Sequence, residues 1–321
     1  MRTTLPRFTV LAGLLVVGTL TLAQEASNDA TVDELPPEAV AQLEQMQAFL
    51  DGLTPRNGAI PLGDNLVTLT VPDDFNFYGS ADAQAILVDA WGNPPDGSES
   101  TLGLLMPTKY TPFDRDSWAV TIEYVEDGYV SDEDAASIDY DELLRDMQRS
   151  TRESNDYLRE SGYATVELLG WAEPPHYDAS TRKLYWAKEL MFEGADESTL
   201  NYDIRALGRR GVLSMTFIAA TAQLDEINAS RDAVLAMAQF TPGNRYSDFD
   251  PSIDKVAAYG IGALVGGKLA AKAGLFAAAL LLLKKFWFVI VIAVAAIGRF
   301  AMRLLGGRTD TLEPPNQTPP K

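Results

Sequence analysis

Between residues 164 and 220 the chain reads as strand after strand, with no helical stretch to interrupt it: "ATVELLGWA", "RKLYWAKELMF", "LNYDIRAL" and "GVLSMTFIAA". The separators "EPPHYDAST", "EGADEST" and "GRRG" are rich in turn residues and short enough for hairpins. Consecutive strands joined this closely predict an antiparallel meander, and the rest of the chain must fold around it.

Earlier segments supply fewer strands and more helices. Pro37 opens "PEAVAQLEQMQAFLDGL", where Val40, Leu43, Leu50 and Leu53 recur at helical spacing and Gly52 is a stop signal. "NLVTLTV" alternates as a half-buried strand and "PDDFNFYG" reads as a turn. Ser80 is a candidate cap for a helix over 81–91, which "GNPP" ends. "SWAVTIEYV" puts Trp118, Val120, Ile122 and Tyr124 on one face of a strand. Residues 131–160 read as mostly helical, with Ser131 as cap and Asp132, Glu133 and Asp134 in the first turn. A last helix is expected over 224–237. The order implies an α+β domain over residues 58–245, a sheet meander with helices packed on it, and does not alternate enough for a doubly wound nucleotide-binding sheet. An acidic leader and short amphipathic helix over 24–57 precede it. A linker over 246–255 follows.

The two ends have a different character. "MRTTLPRFTVLAGLLVVGTLTLA" has two arginines, an apolar run and small residues before residue 24, the pattern of a secretory signal over 1–23. Residues 24–250 hold 42 acidic against 15 basic residues, whereas 251–321 hold 9 basic against 3 acidic. The acidic part repels nucleic acid and anionic lipid headgroups, so neither is expected as its ligand, and nucleic acid is excluded as a partner. In the apolar region, fourteen Leu, Ile, Val and Phe residues between 273 and 297 contribute about −6 kcal/mol to membrane insertion. Lys284 and Lys285, near the middle, cost about 3 kcal/mol each and cancel that gain. Dividing the membrane region 256–305 into helices over 256–283 and 286–305 moves the lysines to a membrane surface. A C-terminal transmembrane helix or helical hairpin is thus expected, then a polar tail over 306–321. Gly262 and Gly266 have the spacing at which membrane helices approach closely, so self-association is a candidate role for them.

Signs of chemistry are sparse. Cysteine is absent and His176 is the single histidine, placed by sequence in a hairpin loop, so no cofactor or metal set is expected. "DGYVSDEDAASIDYDE" lacks the glycine and closing glutamate of a calcium loop, and helix capping explains its acids better. Glu173 and Glu189 are carboxylates that a hydrolase could use. Trp118 and Trp186 fall in strand periodicity and are expected in the core. Trp91 and Trp171 border Pro-rich turns and, with Tyr177, are candidates for a cleft. Arg205, Arg209 and Arg210 gather in an acidic domain, to hold an anionic group or to pair with nearby acids.

The phrases "GYVSDEDA", "GWAEPPHYD", "LYWAKEL", "LNYDIRALGRRGVL" and "DKVAAYGIGALVGGKLAAKAGL" together resemble a family of bacterial membrane-anchored proteins known as domain of unknown function 2167. The resemblance covers residues 60–285. It implies a place in the cell envelope, with the main domain outside the inner membrane, and brings no catalytic residues. The expected function is a non-enzymatic binding or interaction module with an envelope protein or a second copy as partner. A carboxylate hydrolase and an assembly subunit acting through its membrane helices are the alternatives.

Overall fold

The computed structural model describes residues 36–95 and 98–266. The expected signal, most of the leader, the membrane region beyond Gly266 and the polar tail lie outside these residues. Among the described residues no helix is long and apolar enough to cross a membrane.

Two antiparallel sheets form the domain. Strands β1 (Gly58–Leu62), β2 (Val67–Val71) and β10 (Ala238–Phe240) make a small sheet in the order β1-β2-β10. The large sheet holds β3 (Phe75–Gly79), β4 (Thr101–Pro107), β5 (Ala119–Val125), β6 (Val166–Asp178), β7 (Lys183–Phe192), β8 (Thr199–Leu207) and β9 (Val212–Ala220), in the order β3-β4-β5-β9-β8-β7-β6. The four-strand meander is present as expected. Its last strand returns to lie beside β5, and this pairing joins the two halves of the chain.

The helices are α1 (Pro37–Gly52), α2 (Ser80–Ala85, continued by a wider turn through Ala90), α3 (Tyr140–Glu160), α4 (Leu224–Met237) and the short α5 (Gly262–Gly266). One face of the large sheet packs against the small sheet and α4. Leu69 and Val71 meet Phe77, Leu105, Trp118, Tyr202 and Phe217 there, with Ile227 and Val234 from α4. On the opposite face, Ile86, Leu87 and Trp91 cover Leu104 and Met106 at the β4 side. At the β7 side, Leu143 and Met147 of α3 and Val265 of α5 cover Leu184 and Trp186.

The structure differs from the sequence reading at several points, each for a physical reason. β3 replaces part of an expected turn, and β4 was not expected: their residues are buried on both faces, so no period of two survives. β1 and β10 are short, and pairing to β2 defines them. α3 starts at Tyr140 rather than near 131, because Asp139 is the cap, accepting from Asp141 N at 3.1 Å and Glu142 N at 2.9 Å. His176 lies within β6 rather than in a loop, opposite Tyr185, with the two rings stacked at 5.2 Å. β6 tolerates Pro174 and Pro175 because it is an edge strand with an irregular register. Residues 246–266 continue the packed domain where a linker and the start of a membrane helix were expected. Tyr129 stacks on Tyr246 and on Phe249, with ring centroids at 4.5 and 3.9 Å, and its backbone bridges to Val256.

Candidate functional site

Between the two helical covers, the face of the large sheet carries a strip of polar side chains. Register places them in two adjacent rows. Asp203 of β8 stands beside Trp186 of β7 and Thr216 of β9, which is opposite Thr121 of β5. Arg205 of β8 stands beside Ser214 of β9, which is opposite Glu123 of β5.

Asp203, 2 % exposed, is the hub. Arg205 Nη2 donates to its Oδ1 at 3.0 Å and Thr216 Oγ1 donates to the same oxygen at 2.9 Å. Lys188 Nζ lies 2.9 Å from Oδ2, an ion-pair contact rather than an aligned hydrogen bond. The side chains of Lys188 and Arg205 are each 18 % exposed, and the Arg205 guanidinium lies 5.0 Å from the Trp186 ring centroid. Burial alone would raise the Asp203 carboxyl, but the charges of Lys188 and Arg205 overcome it and hold the group below its ordinary value. Glu123 goes the other way. Burial lifts it above the ordinary glutamate value, Arg205 opposes and Asp203 adds to the rise, while Oε1 is buried without a hydrogen-bond partner. Two cations thus face two carboxylates, one of them locked in the ionised form. The Asp203 side of the arrangement fixes charge in place.

The residues singled out from sequence are dispersed. Arg205 belongs to this strip. Trp171, half-buried on β6, stands opposite Lys188 at its margin and packs against the α3 cluster. Trp91 is buried on the other side of the strip, its indole donating to Pro112 O at 2.8 Å, and belongs to the core. Glu173 accepts from Tyr202 Oη at 3.1 Å with Arg231 at 3.8 Å, and Glu189 accepts from Ser198 Oγ at 2.7 Å. Both belong to the opposite face of the sheet. Lys188, Asp203 and Glu123 were missed. A signal was present in "LYWAKEL", where Lys188 shares the alternate positions of the buried Trp186, and in "LNYDIRAL", where Asp203 and Arg205 alternate with the core residues Tyr202 and Ile204, but only β9 returning to β5 brings Glu123 to them.

Tyr177, Arg209 and Arg210 fall in a second cluster, which holds residues 246–266 to the domain. Tyr177 Oη donates to Asp132 Oδ2 at 2.7 Å, Tyr246 Oη donates to Asp132 Oδ1 at 3.1 Å, and Arg182 pairs with Oδ2. Asp127 accepts from Tyr259 Oη at 2.7 Å and Asp134 from Ile261 N at 3.1 Å. Arg209 Nε donates to Asp254 at 2.7 Å, while Arg210 donates to Asn244 at 3.0 Å. Gly262 and Gly266 lie in α5, where a Cβ on Gly262 would meet Ile138 of the same domain at 3.5 Å. The acids of "GYVSDEDA" therefore serve mainly as tertiary acceptors rather than as helix caps.

Asp132 makes this cluster sensitive to acid. Burial raises its carboxyl, but the hydrogen bonds from Tyr177 and Tyr246 and the Arg182 charge bring it below the ordinary value. Tyr177 is pushed up to about 12 by burial and by its bond to Asp132. A depressed folded value means that the stabilisation is present above the unfolded value of about 3.9 and is lost as pH falls through the folded one. Amide exchange over residues 246–261, relative to its intrinsic rate at each pH, is expected to accelerate in the wild type below about pH 4. In Asp132→Asn it is expected to be faster already at neutral pH, with a flatter acid response; an identical acid response in both proteins would remove Asp132 from this role.

No curated protein matches the chain. Among solved structures it is similar to cyanobacterial PsbP (CyanoP) from Synechocystis sp. PCC 6803, at 10 % identity and a TM-score of 0.33, with 59 % of this chain and 92 % of that one covered. The Ran-binding protein Mog1p of Saccharomyces cerevisiae is also similar, at 10 % identity and a TM-score of 0.30, with 61 % and 100 % covered. The model of the family described as "Protein of unknown function (DUF2167)" matches residues 54–295, most of the sequence and nearly all of the described domain, and the chain belongs to that family.

Proposed function

We propose that this protein is a membrane-anchored binding module, its folded domain held at the outer face of a bacterial inner membrane to engage an envelope protein or a second copy of itself. The observation that carries the reading is the locked C-terminal stretch. Asp127, Asp132, Asp134 and Arg209 tie residues 246–261 to the sheet. Only residues 267–272 of the sequence then precede the apolar run that starts at Ala273. An anchor joined through a packed segment restrains the domain more than one joined through a flexible linker, which suits a module that presents a fixed surface. The charge-balanced strip around Asp203 supports binding over turnover.

Reporter fusions active only outside the cytoplasm test the placement. The first junction belongs after Gly266, since an earlier one would remove residues that pack on the domain. Activity after Gly266 and none after Lys321 is expected, with one crossing and a cytoplasmic tail. Activity at both sites would keep the domain outside but require a hairpin; inactivity after Gly266 would overturn the placement. Crosslinking in intact envelopes should then capture one stoichiometric partner or a second copy, and recovery of abundant background proteins alone would count against the binding role.

A further inference from the structure

We infer that one corner of the domain, formed by the end of β5, the β8–β9 turn and residues 250–257, seats on the bilayer surface with Ile253 and Val256 entering the boundary between headgroups and acyl chains. This rests on the anchored reading above. Among the described residues Ile253 is 74 % exposed, Val256 54 % and Val125 40 %. The backbone links these three into one corner: Gly128 N donates to Arg210 O at 3.0 Å, Tyr129 N to Lys255 O at 2.9 Å and Ala257 N to Tyr129 O at 2.8 Å.

The exposure is held in place by the fold. The turn carrying Ile253 is closed by Ile253 N and Asp254 N donating to Asp250 O at 3.1 and 2.9 Å. Asp254 Oδ2 in turn accepts from Asp250 N at 2.8 Å and Arg209 Nε at 2.7 Å. Gly128, at φ +107, lets the two segments meet, since a Cβ there would lie 2.6 Å from Lys255 O. Three exposed apolar side chains gathered at one corner, rather than scattered singly, are what an interaction surface requires.

Chain length selects the lipid surface as occupant. From Gly266 to Ala273 the chain spans at most about 25 Å when fully extended, so Gly266, ten residues after Val256, stays within that reach of any bilayer that takes up the apolar run. Arg210, Arg245 and Lys255 are exposed around it, with stems long enough to reach phosphates while their charges stay wet. Asp254 is engaged with Arg209, Asp250 with Ser252, and Asp248 with the backbone of Gly243 and Arg245, while Glu126 beside Val125 is exposed. The domain as a whole is strongly acidic, so apolar insertion rather than attraction to anionic lipid must carry the contact.

The chain has no cysteine, so single-cysteine variants each carry one fluorophore. Ile253→Cys and Val256→Cys report on the corner, Asp196→Cys on the exposed β7–β8 turn at the other end of the sheet, and Ile290→Cys on the apolar run. The full-length variants are placed in nanodiscs of phosphatidylethanolamine and phosphatidylglycerol containing nitroxide-labelled lipid. Quenching at 253 and 256 is expected to exceed that at 196 several-fold, and to change little when the anionic lipid is omitted. Quenching at 290 with 253 and 256 no more quenched than 196 would overturn the docking and leave the anchor standing. No quenching at 290 would remove the anchor, and the docking with it. Shielding at 253 that rises with protein concentration in discs without nitroxide would assign the corner to a second copy and overturn the lipid assignment.

Discussion

Asp203→Ala is expected to destabilise the protein by about 3–5 kcal/mol, as breaking a buried charge network by removing one partner generally does. The substitution removes the carboxylate that Lys188, Arg205 and Thr216 share, leaving two mostly buried cations facing each other across an apolar gap. Glu123 stands one row away and is itself incompletely paired, so it does not replace the lost charge. Urea unfolding of the full-length protein, followed by tryptophan fluorescence, measures the loss. Asp203→Asn keeps an acceptor for Thr216 but no charge, and should be destabilised less. The triple variant Asp203→Leu, Lys188→Met, Arg205→Met should recover much of the stability, because a packed apolar cluster avoids the cost of desolvating three charges. A loss below about 1 kcal/mol for Asp203→Ala would mean that the strip is solvated like a surface pair.

Trp118→Ala should cost a similar amount, about 3–5 kcal/mol, through a different mechanism. Trp118 is 1 % exposed, lies between Phe75 and Phe217 with ring centroids at 5.8 and 5.9 Å, and anchors the face on which the small sheet and α4 pack. Its indole donates to Glu226 Oε1 at 2.8 Å, and Lys109 Nζ reaches the same oxygen at 2.9 Å. Trp118→Phe retains most of the volume and removes that donor, so a smaller loss of about 1–3 kcal/mol is expected. The same unfolding measurement separates the two contributions; equal losses for alanine and phenylalanine would show that the hydrogen bond, rather than the packed ring, dominates.

Local signals were legible where turn residues frame a segment or where apolar residues recur with a clear period. The meander, the strands containing Val67–Val71 and Ala119–Val125, and the helices α1, α2 and α4 were all legible by period or by punctuation. β3 and β4 were not: like β8 and β9 they are covered on both faces and lose alternation, but they lack the short turn-rich separators on each side that frame the meander strands. Ser131 and its following acids read as a helix start, but Asp132 and Asp134 form bonds to Tyr246 and Ile261, more than 110 residues away in sequence. Such acceptors are indistinguishable from a helix N-terminus until the partner segment is known. Arg205 was found from its contrast with an acidic background, whereas its carboxylate partner two residues away was lost among many other acids.

By itself the sequence determined the α+β class, the antiparallel meander, the division between an acidic domain and basic, apolar ends, and the family to which the chain belongs. These follow from short-range periodicity, turn chemistry and composition, which need no knowledge of distant contacts. Tertiary structure alone decided that β9 lies beside β5, that Lys188, Asp203, Arg205 and Glu123 share one face, and that residues 246–266 pack onto the domain. Those outcomes depend on pairings between segments far apart in the chain, where the choice is made by which faces can be buried together.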